Sequence, residues 1–210
     1  MARHLPTRLA FALVISGAIA ACQASGASAA TCEGYTITIT GSGYIFGTPG
    51  DDVIRGSSAR DVIDATQGGN DKICPTDGND DITLGGGNDV AFGGNGRDTI
   101  RGGAGNDFIY GGAGPDSLAG QDGFDSVWGD AFSSSADHGI DKITGGNQRD
   151  LLYGDGANDR IYGQGGDDDI EGGAGNDSIS ANSGHDKIWG HEGDDKLVGG
   201  SGNDYFVGDS

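Results

Sequence analysis

The stretch that decides the fold runs from Gly102 to Ala119 and consists of Gly-Gly-Ala-Gly-Asn-Asp-Phe-Ile-Tyr followed by Gly-Gly-Ala-Gly-Pro-Asp-Ser-Leu-Ala. These are two copies of one nine-residue unit. Each unit has a glycine-rich half that ends in an aspartate, and then a triplet whose middle residue is aliphatic. The pattern predicts a tight turn carrying a carboxylate, alternating with a very short strand.

The same unit continues through most of the chain. Successive aspartates are nine residues apart, except for one interval of ten before Asp71 and one of sixteen before Asp141. An apolar residue stands two positions after each of these seventeen aspartates, which excludes compositional accident and indicates a stack of repeats. The aspartates are Asp52, Asp61, Asp71, Asp80, Asp89, Asp98, Asp107, Asp116, Asp125, Asp141, Asp150, Asp159, Asp168, Asp177, Asp186, Asp195 and Asp204.

Composition and charge point the same way. The 210 residues include 44 glycines, and only 34% are hydrophobic, so an ordinary packed core is not expected and stability must come from stacking or from a ligand. The net charge is −20. Nucleic acids and anionic membrane surfaces are therefore poor partners, whereas cations are natural ones.

The first 30 residues have the pattern of a secretory signal. Arg3 and Arg8 precede an apolar run at 9–21 that is too short to span a bilayer. We therefore expect a secreted, extracellular protein without a transmembrane segment. Without residues 1–30, 10 Lys+Arg stand against 32 Asp+Glu, a net charge of −22.

Two processing sites compete in this signal. Residues 27–29, Ala-Ser-Ala, fit an A-x-A cleavage site, while residues 19–22, Ile-Ala-Ala-Cys, resemble the box before a lipidated cysteine. The second route would give a lipoprotein anchored through Cys22. Either route leaves Cys32 and Cys74, which we expect to form a disulfide in an oxidising compartment.

The repeats are preceded by a segment with a different pattern. Residues 36–40 alternate Thr and Ile as a half-exposed strand does, and we predict that residues 31–46 form an N-terminal cap that covers the open edge of the stack. Residues 47–210 are then the repeat domain. Extra residues near 130–137 predict a surface bulge, or alternatively a binding loop on a working face.

The repeat resembles the Gly-Gly-x-Gly-x-Asp-x-aliphatic-x nonapeptide of RTX proteins, also called hemolysin-type calcium-binding repeats. Units 102–110, 111–119, 172–180 and 199–207 match it when Phe206 counts as the large apolar residue. The resemblance implies an all-β parallel β-roll, a β-solenoid in which two nonapeptides form one coil and several Ca²⁺ ions lie in the turns. The leader, Thr-Cys and Gly-Thr-Pro-Gly-Asp-Asp also resemble small secreted calcium-binding proteins of actinobacteria.

The chemistry of the turn agrees with that resemblance. Ca²⁺ takes about six to eight oxygen ligands, and glycine turns offer carbonyls beside the carboxylates. Aspartates 18 residues apart would share an ion, which allows at most 15 sites. The candidate ligand residues are Asp52, Asp71, Asp80, Asp89, Asp98, Asp107, Asp116, Asp125, Asp141, Asp150, Asp168, Asp177, Asp186, Asp195 and Asp204, with the turn glycines Gly102, Gly105, Gly111, Gly114, Gly172, Gly175, Gly199 and Gly202.

Some turns depart from the motif. Ala59, Gln148 and Ala157 replace the fourth-position glycine before Asp61, Asp150 and Asp159. Their side chains should make the tight turn costlier, so we expect weaker calcium sites there. With so much negative charge and so few aliphatic residues, the chain should also need calcium in order to fold.

Aromatic residues recur on one predicted face. Every second unit places an outward side chain on the same sheet, and this row contains Phe92, Tyr110, Trp128, Tyr153 and Trp189. The rings could stack as cross-strand neighbours, or they could form an exposed contact strip for a glycan, a cell-wall polymer or another β-roll.

The sequence gives little sign of catalysis. It lacks the Gly-x-Ser-x-Gly, His-Glu-x-x-His and phosphate-loop motifs, and the repeats occupy residues 47–209. We therefore predict a binding or structural module, not an enzyme, at or outside the cell surface. Two alternatives remain open: an adhesin or carbohydrate-contact protein that uses the aromatic face, and a homologue of the calcium-binding tail of a secreted protease or lipase.

Overall fold

The computed structural model describes residues 35–74, 76–130 and 138–207. The predicted signal at 1–30, Cys22 and Cys32, and nearly all of the insertion lie outside these residues. The strands in chain order are β1 (Ile39–Thr40), β2 (Tyr44–Phe46), β3 (Val53–Arg55), β4 (Val62–Asp64), β5 (Lys72–Cys74), β6 (Thr76–Asp77), β7 (Asp81–Gly86), β8 (Val90–Asn95), β9 (Thr99–Ala104), β10 (Phe108–Ala113), β11 (Ser117–Asp122), β12 (Ser126–Trp128), β13 (Lys142–Gly146), β14 (Leu151–Gly156), β15 (Arg160–Gly165), β16 (Asp169–Ala174), β17 (Ser178–Ser183), β18 (Lys187–Glu192), β19 (Lys196–Ser201) and β20 (Tyr205–Val207).

These strands form two parallel sheets. Sheet A has the order β1-β3-β5-β8-β10-β12-β14-β16-β18-β20, and β6 also pairs with β8. Sheet B has the order β19-β17-β15-β13-β11-β9-β7-β4-β2. Successive units alternate between the sheets, so two nonapeptides make one coil, as predicted, and the all-β solenoid is confirmed.

The core is a narrow double row of aliphatic side chains. The middle residue of each triplet points inward and pairs in register with the same position of the next coil, as Ile109 does with Val127. Ile54, Ile100 and Ile170 are fully buried in this way. Each such side chain contributes about 1.5–3 kcal/mol on burial, and the repeats supply one per unit.

The described part of the predicted cap, residues 35–46, contains β1 and β2, which are the terminal strands of sheets A and B. β1 is shorter than the alternating Thr-Ile segment and pairs with β3, while β2 pairs with β4 and places Ile45 in register with Ile63. The backbone N–H of Gly43 donates to Oδ1 of Asp61, as an aspartate at that position would. The repeat geometry therefore begins before residue 47, in a unit whose sequence has lost the motif.

Candidate calcium sites in the turns

The turn aspartates form two columns along the solenoid. One column contains Asp52, Asp71, Asp89, Asp107, Asp125, Asp150, Asp168, Asp186 and Asp204; the other contains Asp61, Asp80, Asp98, Asp116, Asp141, Asp159, Asp177 and Asp195. All are buried except Asp195 and Asp204 in the last two turns.

One oxygen of each carboxylate holds neighbouring coils together. The backbone N–H of an aspartate donates to Oδ1 of the next aspartate in its column, as Asp89 does to Asp107 at 2.9 Å and Asp107 to Asp125 at 2.9 Å. The insertion does not interrupt the column, because the N–H of Asp116 reaches Oδ1 of Asp141 at 2.8 Å. The expected pairing of aspartates across successive coils is therefore present.

The second oxygen of most of these carboxylates is buried without a hydrogen-bond partner. An ionised carboxylate oxygen left in this state is costly, so it calls for a cation or a proton. The twelve aspartates with such an Oδ2 are Asp71, Asp89, Asp98, Asp107, Asp116, Asp125, Asp141, Asp150, Asp159, Asp168, Asp177 and Asp186.

The glycines of the turn make room for these oxygens. A Cβ on Gly102 would overlap Oδ2 of Asp107 and lie 2.6 Å from the carbonyl oxygen of Gly120, so a carboxylate and a carbonyl approach the same point. Gly105 has φ +128° and packs against the carbonyl of Gly87, which only glycine can do. Gly111 and Gly172 repeat the first role, Gly199 in the last turn meets only the carboxylate of Asp204, and Gly114, Gly175 and Gly202 repeat the second role.

This donor set fits calcium. Among the described residues, no three Asp, Glu, His or Cys side chains converge on one point. The oxygens on offer are therefore carboxylate Oδ2 atoms with backbone carbonyls, a mixed hard-oxygen set of the kind that Ca²⁺ accepts.

Burial perturbs the same carboxylates strongly. Desolvation raises the pKa of Asp107 to about 7 and that of Asp116 to about 8, although the backbone hydrogen bond to each carboxylate lowers it. The largest rise is at Asp159, whose pKa reaches about 9 because of burial and the nearby charges of Asp141 and Asp177. Without a cation, the centre of each column holds protons near neutral pH.

In the first two turns, the Oδ2 atom of the aspartate does have hydrogen-bond donors, and we call these turns hydroxyl-closed; the turns with an unpartnered Oδ2 are called open. Oδ2 of Asp52 accepts hydrogen bonds from the N–H of Thr48 at 2.6 Å and its hydroxyl at 2.9 Å, and Oδ1 accepts one from the hydroxyl of Thr38 at 3.1 Å. Oδ2 of Asp61 is held in the same way by Ser57. Threonine donors contact both oxygens of Asp52, and its role as a metal ligand stays a prediction.

Motif departures affect the turns unequally. Ala157 has φ +75°, a left-handed conformation that is strained for a residue with a Cβ, as predicted. Neither Ala59 nor Gln148 has a positive φ, so the strain predicted at those two positions is wrong. The remaining non-glycine residues with positive φ stand at the second turn position, which sequence analysis did not single out. They are Gln121, Asp155, Gln164, Asn182 and His191.

A second ladder, formed by the residue just before each aspartate, was missed. Oδ1 of Asn70 accepts the N–H of Asn88, Oδ1 of Asn88 accepts that of Asn106, and Oδ1 of Asn106 accepts that of Phe124. The recurring Asn-Asp dipeptide was the available signal. These bonds run in the opposite sense to the aspartate ladder, so each turn is tied to both neighbours.

Asp130 was also missed because it lies outside the nine-residue register. It is buried at the start of the insertion, where Oδ1 accepts the N–H of Gly139 and Oδ2 accepts that of Gly156. Nδ1 of His138 lies 2.8 Å from the same Oδ2. Asp130 thus fixes the end of the insertion against the solenoid.

The aromatic row is a stack. Centroids of Phe92 and Tyr110 are 4.9 Å apart, those of Tyr110 and Trp128 4.5 Å, and those of Trp128 and Tyr153 5.3 Å, with planes within 9° of parallel. Tyr110 is 3% exposed and Trp128 9%, so for these two rings the structure favours the cross-strand stack over the alternative of an exposed contact strip. Trp189 is separated from Tyr153 by Glu171 on the intervening strand.

Cys74 at the end of β5 is disulfide-bonded. The structure does not describe Cys32, so the pairing of these two cysteines stays a prediction.

The fold and the two columns define a parallel β-roll whose turns present carboxylate and carbonyl oxygens inward. A family model of RTX calcium-binding nonapeptide repeats matches residues 38–73, 46–82, 75–109, 83–118, 110–131, 137–170 and 171–206. The chain belongs to this family, whose repeats bind calcium. Comparison with curated proteins finds no match. Within the described residues, there is no helix that is long and apolar enough to cross a membrane.

Proposed function

We propose that this protein is an exported calcium-binding β-roll that folds when calcium enters its turns. The observation that carries the proposal is the set of twelve buried Oδ2 atoms without hydrogen-bond partners. Bound Ca²⁺ would compensate the negative charge of these buried carboxylates. Asp107 with the carbonyl of Gly120, and the equivalent atoms of the other open turns, would hold it.

The chain itself positions the oxygens that would bind calcium. The Oδ1 ladder fixes each carboxylate in the folded turn, so its Oδ2 is left to face the ion. The thin aliphatic core contributes one side chain per unit, too little to offset the burial of so many charges unaided. Folding and ion binding are therefore coupled, and removal of metal should unfold the roll.

The test is calcium titration of metal-stripped protein by circular dichroism, with calorimetry in parallel. We expect little β signal without metal at pH 8 and a cooperative gain on adding Ca²⁺, accompanied by heat of binding. Mg²⁺ at equal concentration is the control, because it demands a smaller octahedral site and keeps its waters. An unchanged β spectrum after chelation would refute the proposal.

We further propose that the protein acts as a binding or structural module outside the cell. Low calcium inside the cell would keep the chain unfolded for export, and higher calcium outside would fold it. The mass of the exported product tests the route: a chain beginning near residue 30 supports secretion, and one beginning at a lipidated Cys22 supports the anchored alternative.

A further inference from the structure

A different face of the solenoid carries an interaction surface. The outward positions of β13, β15, β17 and β19 include Lys142, Arg160 and Lys196 but no Asp or Glu, although the chain has 32 acidic residues. Sheet A has Asp155, Asp169 and Glu171 outward on two adjacent strands. We call this acid-free part of sheet B the basic face.

The three cations of the basic face are exposed and available. The ladder aligns Lys142 with Arg160, Arg160 with Ser178, and Ser178 with Lys196, so they form one row over four strands, about 14 Å long at about 4.8 Å per strand. None of the three makes an ion pair with a described residue, whereas Arg101, Arg149 and Lys187 each pair with an aspartate. The row therefore carries positive charge that no described acidic side chain neutralises, although the protein as a whole is acidic.

Polar and aromatic groups lie beside this row. Tyr162 is 36% exposed between Thr144 and Ser180 on neighbouring strands. Gln164, one step further along β15, is exposed, and its side-chain amide makes no hydrogen bond to a described residue. An aromatic ring, an amide and hydroxyl groups are the donors, acceptors and stacking surface that suit a polyhydroxylated ligand.

The backbone at Gln164 is left-handed, as it is at Gln121 of the same sheet. Gln164 and Asn182 have φ +82° and +76° at a position where other strands of the same sheet carry glycine, for example Gly103 and Gly200. A non-glycine residue in this conformation costs about 1–3 kcal/mol. The amide of Asn182 bonds locally to Ser180, whereas that of Gln164 faces solvent.

We infer that the basic face binds a linear acidic polysaccharide that runs along the solenoid axis. Lys142, Arg160 and Lys196 would take its carboxylates, Tyr162 would stack on a sugar ring, and Gln164 would bond to hydroxyls. The row and the flat strip fit an extended chain. Duplex DNA is a poorer ligand for this face, because its phosphates carry about one charge per 1.7 Å and the row has only three cations over about 14 Å. The acidic remainder of the protein would also repel so dense a polyanion.

The test uses the full mature chain in calcium, with hyaluronan oligosaccharides as the carboxylated probe and dextran oligosaccharides as the neutral one. We expect calorimetry to detect hyaluronan binding that weakens with added NaCl, and no dextran binding. The combined variant Lys142→Ala, Arg160→Ala and Lys196→Ala should weaken binding about tenfold, because each exposed pair contributes a fraction of a kcal/mol.

The matched control combines Arg55→Ala, Arg60→Ala and Arg97→Ala, which changes the net charge equally away from the basic face. It should bind hyaluronan as the unchanged protein does. Equal losses in the two variants, no hyaluronan binding by the unchanged protein, or equally tight binding of a DNA oligonucleotide would each overturn the inference. Circular dichroism in calcium confirms that every variant is folded, which separates this result from failure of calcium-dependent folding.

Discussion

At the residue scale, the two oxygens of each turn aspartate have different tasks, and a single substitution can separate them. Asp107→Asn keeps an Oδ1 acceptor for the N–H of Asp89 but removes the charge at Oδ2. We expect the variant to need several-fold more calcium for half-maximal folding. Metal-stripped protein should instead gain β signal, because a buried charge is gone. Calcium titrations by circular dichroism measure both effects.

The comparison variant is Asp52→Asn. Thr38 and Thr48 donate to the two oxygens of Asp52, and the neutral amide of asparagine would weaken these bonds by removing the negative charge that strengthens them. We expect the free energy of unfolding in saturating calcium to fall by about 1–3 kcal/mol, measured by urea denaturation, and metal-stripped protein to show no gain of β signal. If Asp107→Asn behaved like Asp52→Asn, the division between open and hydroxyl-closed turns would be wrong.

At the scale of the strand, the aromatic stack on sheet A supports the centre of the solenoid. Trp128→Ser removes a ring that lies between those of Tyr110 and Tyr153 and is 9% exposed. We expect the free energy of unfolding in saturating calcium to fall by about 3 kcal/mol, as large-to-small substitutions in packed sites do. Urea denaturation followed by circular dichroism measures it.

Trp189→Ser is the control, because Trp189 is half-buried beyond the interruption at Glu171. Its loss should cost clearly less. Equal costs for the two variants would contradict a special role for the stack.

The same scale shows what sequence could predict. The nine-residue interval fixes which aspartates share a column and which aliphatic residues point inward, since both follow from a regular backbone. The hydrogen bonds from the hydroxyls of Thr48 and Ser57 could not be predicted, because the repeat pattern does not distinguish a turn hydroxyl that bonds to the aspartate from one that is solvated. The burial of Tyr110 and Trp128 could not be predicted either. Strand alternation assigns a side chain to a face of the sheet but does not show which neighbours cover it there.

At the scale of the whole molecule, metal and protons compete for the same buried oxygens. The pKa values of Asp116, Asp150 and Asp159 are raised to about 8, 8 and 9 in the fold, from 3.8 in a solvated chain. The metal-free fold therefore binds more protons than the unfolded chain. Protonation of these groups stabilises the metal-free fold fully below about pH 4, and that contribution declines with rising pH until it is lost through about pH 8 to 9.

We therefore expect opposite pH dependences in the two states. Metal-stripped protein should gain β signal as the pH is lowered from about 9 to about 5, because protons replace the missing cations. In calcium, the fold should persist at pH 8, and the calcium concentration that half-saturates the folded protein, measured by calorimetry, should rise as pH falls, because each proton must leave before an ion binds. Circular dichroism across this range, with and without calcium, provides the measurement. A gain of β structure in metal-free protein as pH rises would mean that negative charge on the buried turn aspartates does not limit the stability of the metal-free fold.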